Sequence, residues 1–233
     1  MTFTVQFEKA LTLATRLHAT QTRKGSDIPY IAHLLGVASI ALDHGANEDE
    51  AIAALLHDAV EDQGGAKTLD QIRRRFGSSV ADIVWGCSDT DEIPKPPWRK
   101  RKEAYIEHLA YASPSVLLVS ASDKLHNARA ILSDYRCVGD QLWARFAGGK
   151  DGTLWYYRAL VEAFQRSGMN RQLVADLDLT VTDIERLASN RAVPFPFRMT
   201  CIFATGLMVG ELIKRLSRLF LLSGLPSRLF RRH

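Results

Sequence analysis

Apolar side chains recur three and four residues apart along most of this chain, and no segment shows a convincing alternation of period two. The first spacing lays a stripe along one side of a helix, whereas a half-buried strand needs the second. Phe7, Ala10, Leu11, Ala14 and Leu17 make one such stripe. A second helix is expected from about Tyr30 to His44, ended by Gly45, and a third from Asn47. Glu50 stands three residues after Asn47, the capping-box arrangement in its Asn variant. That helix is expected to run on through Ala51-Ile52-Ala53-Ala54-Leu55-Leu56 into the polar residues that follow. Thr68 with Gln71 reads as a further start, and Gly77 as a stop. Helices over 79–88, from about Arg99 and from Ser113-Pro114 come next, the last with proline at the first helical position, where an N–H is not needed. A loop holding Gly139, Gly148, Gly149 and Gly152 leads to a helix through Trp155 and Phe164. The expected class is all-α, a helical bundle without internal repeats.

With 233 residues the chain exceeds a typical domain of about 150, so one domain plus an extension is expected. Residues 1–168 form the main domain in this reading. Residues 169–193 form an accessory segment with a short helix around Thr182–Leu187, and residues 194–233 a C-terminal extension. Pro194 and Pro196 mark the linker to that extension. In it Leu212, Ile213, Leu216, Leu219 and Phe220 share one stripe of an amphipathic helix, with Lys214, Arg215 and Arg218 opposite. Two partners fit such a helix. One is an anionic membrane surface, contacted peripherally. The other is an apolar face of the domain or of a second copy of the chain.

Charge placement separates the two parts. Residues 211–233 carry Lys214, Arg215, Arg218, Arg228, Arg231 and Arg232 against Glu211 alone, so the rest of the chain is close to neutral. No nucleic-acid partner is expected for the main domain. No run approaches the ~18 apolar residues of a membrane span; the longest, Met199 to Gly210, is closed by Arg198 and Glu211. The first residues lack a basic segment followed by an apolar one, so no secretory signal is expected. Cys87, Cys137 and Cys201 fit neither a disulfide framework nor a CxxC metal site, which is consistent with a reducing, cytoplasmic setting.

Three polar clusters interrupt segments that should be core. His57-Asp58-Ala59-Val60-Glu61-Asp62 follows the apolar turns of the third helix, and helical i, i+4 spacing would set Glu61 beside His57 and Asp62 beside Asp58. Acids at a helix C-terminus oppose its dipole, and desolvating several carboxylates is costly without a compensating cation. A solvated last turn and a metal site both remain open here. Ser122-Asp123-Lys124-Leu125-His126-Asn127-Ala128-Arg129 directly follows Val116-Leu117-Leu118-Val119. Gln21-Thr22-Arg23-Lys24-Gly25 precedes Ile28-Pro29-Tyr30-Ile31-Ala32-His33; its guanidinium and ammonium suit either a solvated loop or phosphate oxygens. Together His33, His57, Asp58 and Asp123 supply two imidazoles and two carboxylates without thiolate, a donor set that suits Mn²⁺ or Fe²⁺ as well as Zn²⁺.

The order His…His-Asp…Asp resembles the HD-domain phosphohydrolases. More narrowly, the three stretches resemble the hydrolase domain of RelA/SpoT-type enzymes and stand-alone small alarmone hydrolases, over about residues 5–165. The resemblance implies an HD-domain helical bundle with one Mn²⁺ on His33, His57, Asp58 and Asp123. It implies Glu61 and Asp62 as the catalytic acidic pair serving the attacking water, and Arg23, Lys24 and Asn127 as nucleotide and phosphate ligands. The implied reaction removes pyrophosphate from the 3′ position of ppGpp or pppGpp, giving GDP or GTP. Lys100-Arg101-Lys102 and Lys150 are further candidates for the phosphates, and Trp155 or Tyr156 for the nucleoside; a solvated basic helix and a core aromatic pair account for them equally well. Leu34 stands where long relatives often carry proline, and Ser26-Asp27 lengthen the preceding loop, yet neither removes a ligand or an acid. The residues after the core leave no room for a synthetase domain, so degradation of alarmone without synthesis is expected. Two alternatives stand beside this. A hydrolase of the same fold could act on another nucleotide, such as a nicotinamide cofactor phosphate. A non-catalytic nucleotide sensor would have no need of Glu61-Asp62.

Overall fold

The computed structural model describes residues 2–89 and 94–189, so the expected linker and amphipathic helix of the C-terminal extension lie outside the described residues. Apart from one isolated bridge between Thr22 and Pro29, every regular element among them is helical. Helix α1 (Val5–Leu17) begins where the Thr4 hydroxyl accepts from the Gln6 N–H. It is followed by α2 (Ile31–Asp43) and α3 (Glu48–Leu56), whose Asn47 and Glu50 cap each other reciprocally as expected. Then come α4 (Ala59–Asp62), α5 (Gly65–Phe76), α6 (Ser78–Cys87) and α7 (Trp98–Leu109). The long α8 (Pro114–Val138) starts at Ser113 with proline in its first turn. A 3₁₀ turn (Gly139–Arg145) leads to α9 (Gly149–Ser167) and α10 (Arg171–Ser189).

Local signals erred where packing took over. Thr68 does not start a helix: it lies inside α5, buried, with its hydroxyl donated to the Gln63 carbonyl. Gly149 and Gly152 belong to α9, where the bare Gly148 and Gly152 Cα atoms admit the Trp98 ring. The short helix expected around 182–187 is the end of the 19-residue α10. Its Leu173, Leu177, Val181 and Ile184 are buried against α8 and α9, and Arg158 of α9 clamps it by bonds to Asp178 and Glu185. The third expected helix is broken: α3 ends at Leu56, and α4 restarts at Ala59.

Two apolar clusters share α8 as a common wall. One, from α1, α2, α3, α5 and α6, includes Leu34, Ile52, Leu55, Ile72 and Val84 and takes Val116 and Val119 from α8. The other, from α7, α9 and α10, includes Leu109, Leu160, Phe164 and Leu173 and takes Ala121 and Leu125 from α8. Asp123 stands one turn after Val119 and two after Val116, on that same face of α8, which buries a carboxylate beside the first cluster.

Candidate metal centre and active site

The break between α3 and α4 serves the site. His57 closes α3 and turns its Nδ1–H back onto the Ala54 carbonyl at 2.8 Å, satisfying one of the acceptors a helix end leaves open. That bond makes Nδ1 the donor and turns Nε2 toward the cluster, the nitrogen a metal would take once its proton is displaced. On α2, His33 is fixed in the same way, with Nδ1 2.9 Å from Nδ1 of His126. Burial, with His33 and Arg23 adding, pushes the His126 pKa down to about 4, so His126 is neutral; for His33 to offer Nε2 to a metal, its Nδ1–H is the donor of this pair and His126 Nδ1 the acceptor. Gly36, one turn along α2, makes room for the His126 ring; a Cβ there would collide with it.

Both Nε2 atoms are buried without a hydrogen-bond partner. They face the same two carboxylates: His33 Nε2 lies 3.4 Å from Asp58 Oδ2 and 3.2 Å from Asp123 Oδ1, and His57 Nε2 lies 3.0 Å and 3.6 Å from those atoms. A cation with ligand bonds of about 2.1 Å sets neighbouring ligand atoms roughly 3.0–3.4 Å apart, so these spacings suit the edges of a coordination shell. The ligand atoms of His33, His57 and Asp58 all lie within 4.8 Å of one another, and Asp123 faces them from α8. Electrostatics agree. Burial alone would lower His57, yet Asp58 and Asp123 hold its imidazole well above the usual range. Burial would raise both carboxyls, but His57 with His33 pulls Asp58 well below its ordinary value, and Lys124 with the two imidazoles does so for Asp123. The centre of the cluster therefore favours positive charge. The donor set fits a divalent metal.

Around it the predicted residues divide. Arg23 donates from Nη2 to Asn127 Oδ1 at 2.8 Å, and Asn127 donates to Asp123 Oδ1 at 2.5 Å, a chain from the 21–30 loop to the cluster. Lys24 is exposed on that loop. Glu61 accepts from Lys95 Nζ at 2.9 Å, and Asp62 Oδ2 accepts from Gln21 Nε2 at 2.8 Å. Partial burial, with the Asp58 and Glu61 carboxylates, raises the Asp62 carboxyl against the opposing bond from Gln21. Tyr156 is buried, with Lys102 Nζ 5.0 Å above its ring and its hydroxyl unpartnered. Arg101 and Lys102 both pair with Asp89. Lys150 departs from the expectation of a phosphate ligand, because its ammonium closes α10 by donating to the Ala188 carbonyl at 2.6 Å. Trp155 carries the Arg99 guanidinium 3.2 Å from its ring centroid.

Sequence reasoning passed over several residues. Tyr30 donates to Asp58 Oδ2 at 2.6 Å, Lys124 to Asp123 Oδ2 at 2.6 Å, and His126 braces His33. Each lay inside a quoted motif, so proximity to a ligand was the available signal; the partner was not.

Residues 10–154 match the family model of the HD domain. The guanosine-3′,5′-bis(diphosphate) 3′-pyrophosphohydrolase MESH1 of Xenopus tropicalis is 40% identical over 124 residues, covering 52% of this chain and 66% of that protein. Its Danio rerio counterpart is 36% identical over 124 residues, again covering 52% of this chain and 66% of that protein. A probable GTP pyrophosphokinase of Mycobacterium leprae is 35% identical over 125 residues, which cover 53% of this chain and 16% of that longer protein. The match thus spans just under two thirds of the two animal proteins and a small part of the bacterial one. Among solved structures, a metazoan ortholog of SpoT, described as hydrolysing ppGpp and playing a role in starvation responses, superposes with a TM-score of 0.65 at 25% identity. That match covers 81% of this chain and 99% of the other. A Listeria monocytogenes EGD-e protein gives a TM-score of 0.56 at 28% identity, over 67% of this chain and 98% of that one.

Proposed function

This chain belongs to the HD domain family, and from that premise we propose that it is a Mn²⁺-dependent 3′-pyrophosphohydrolase of guanosine tetra- and pentaphosphate. The observation that carries the reading is the pair of buried, unpartnered His33 and His57 Nε2 atoms facing Asp58 and Asp123, with Glu61 and Asp62 one turn away. His33, His57, Asp58 and Asp123 would hold the metal. When bound, the metal polarises a phosphate oxygen and lowers the pKa of water. Lys124 donates to Asp123 Oδ2, the oxygen other than the one facing the imidazoles, Tyr30 donates to Asp58 Oδ2, the oxygen that faces them, and His126 and Ala54 hold the imidazoles by Nδ1, so all four side chains are oriented before substrate arrives.

Glu61 and Asp62 take the proton of the attacking water as its oxygen adds to the phosphorus next to the 3′ oxygen. The bond from that phosphorus to the 3′ oxygen breaks, the 3′ oxygen is protonated, and pyrophosphate leaves. Arg23 is fixed by Asn127 through one amino group and presents its remaining N–H groups to phosphate; Lys24 adds an exposed ammonium beside it. The relatives' printed names favour alarmone over other nucleotides. The test is purified full-length protein with Mn²⁺ offered ppGpp, pppGpp, NADPH and GTP. The expected result is GDP or GTP and pyrophosphate from the first two. Phosphate release from NADPH with no attack on ppGpp would reassign the substrate, and tight binding of ppGpp without turnover would make the chain a sensor.

A further inference from the structure

Gln21 lies on no helix and on none of the ligating residues, yet its side chain is tied at both ends. Its Nε2 donates to Asp62 Oδ2 at 2.8 Å. Its Oε1 accepts from Gln63 Nε2 at 2.6 Å and lies 2.7 Å from Nδ1 of His18. The chemistry permits one orientation only: an amide oxygen turned toward the Asp62 carboxylate would set two acceptors against each other, so the N–H end must face it. The oxygen then needs donors on its far side, and Gln63 and the Nδ1–H of His18 supply them. His18 is itself held, 3% exposed and stacked on Tyr30 with centroids 5.2 Å apart and rings at 18°. Backbone bonds set the base of the side chain, Gln21 N–H to the His18 carbonyl at 3.1 Å and Tyr30 N–H to the Gln21 carbonyl at 2.9 Å.

Asp62, by contrast, is on the exposed side of the single-turn helix α4, where a short carboxylate would otherwise sample several rotamers. We propose that Gln21, braced by His18 and Gln63, is a positioning residue that holds one oxygen of Asp62 and leaves the other for the attacking water. The same brace couples the two halves of the site, because Tyr30, against which His18 stacks, donates to the ligating Asp58. This inference rests on the reading of Asp62 as one of the acids that serve water.

A double-mutant cycle on the full-length, Mn²⁺-loaded protein tests it. With ppGpp as substrate, Gln21→Leu is expected to lower kcat about 10- to 100-fold, the range typical of lost outer partners, with KM and metal content unchanged. In an Asp62→Asn background the same substitution should cost less than about 2-fold more, since the group it serves is gone. His18→Phe keeps the stack on Tyr30 and removes the Nδ1 donor, and should give a smaller loss in kcat alone. Losses that add fully, or that fall on KM or metal content, overturn the proposal. A second readout does not need turnover: the Gln21 side-chain amide protons in a ¹H–¹⁵N spectrum should be protected from exchange in the wild type and lose protection in Asp62→Ala. Equal exchange in both overturns the contact. Failure of the wild type to attack ppGpp would sink the substrate assignment, while the amide spectrum would still judge Gln21.

Discussion

Gly36→Ala sets two effects of opposite sign against each other. In the interior of a helix, alanine is normally better than glycine by about 1 kcal/mol, so propensity alone predicts a more stable protein. At this position the new Cβ meets the imidazole of His126, which accepts from His33 Nδ1 at 2.9 Å and packs edge-on to its ring at 4.8 Å. The His126 ring must move, and the buried His33 N–H then loses its acceptor. Leaving a buried donor unpaired costs about 1–3 kcal/mol, and forcing atoms into a packed region costs a similar amount. The losses outweigh the propensity gain, leaving a net destabilisation of roughly 1–5 kcal/mol, which at about 2–4 °C per kcal/mol for a chain of this size lowers Tm by several degrees or more. The functional consequence is larger. His33 loses the partner that orients it, and metal affinity should fall about 10- to 100-fold. Mn²⁺ titration against a competing chelator, alongside thermal unfolding of metal-free protein, measures both. His126→Ala, which removes the acceptor without a clash, should show the same loss of affinity. A Gly36→Ala protein with Tm at or above wild type and unchanged Mn²⁺ affinity would refute the role of His126.

Three further outcomes are expected. His57→Ala or Asp58→Ala should lose both Mn²⁺ and hydrolysis, since each removes an atom facing the shared centre; full metal content by elemental analysis in either would remove it from the site. Glu61→Gln keeps the shape but not the base, so metal and substrate binding should persist while kcat drops about 10²–10⁴-fold; near-normal kcat would leave the proton to Asp62 alone. Burial pushes the Cys87 thiol up to about 11, so at pH 8 only about one molecule in a thousand carries the thiolate; alkylation followed by mass spectrometry should be slow and rise about tenfold per pH unit, and labelling as fast as that of an exposed thiol would contradict this.

What the sequence determined by itself was whatever a few neighbouring residues decide. The capping box at Asn47 and Glu50, the proline in the first turn of α8 and the stop at Gly77 (φ 92°) are local hydrogen-bond and steric events, and all stand where the spacing put them. That His33, His57, Asp58 and Asp123 converge was anticipated from polar residues at apolar positions together with the family resemblance that ordered them. Tertiary structure decided the rest. The break at His57-Asp58 depends on an imidazole turning back to cap α3, which no periodicity encodes. The length of α10 follows from its burial against α8 and α9 and from the Arg158 clamp, which outweigh its β-branched Thr and Val residues. Lys150 read as a phosphate ligand by charge, yet chain geometry delivers it to the end of α10. Tyr30, His126 and Gln21 acquire their roles from partners 28, 93 and 41 residues away, and contacts of that range exist only once the helices have packed.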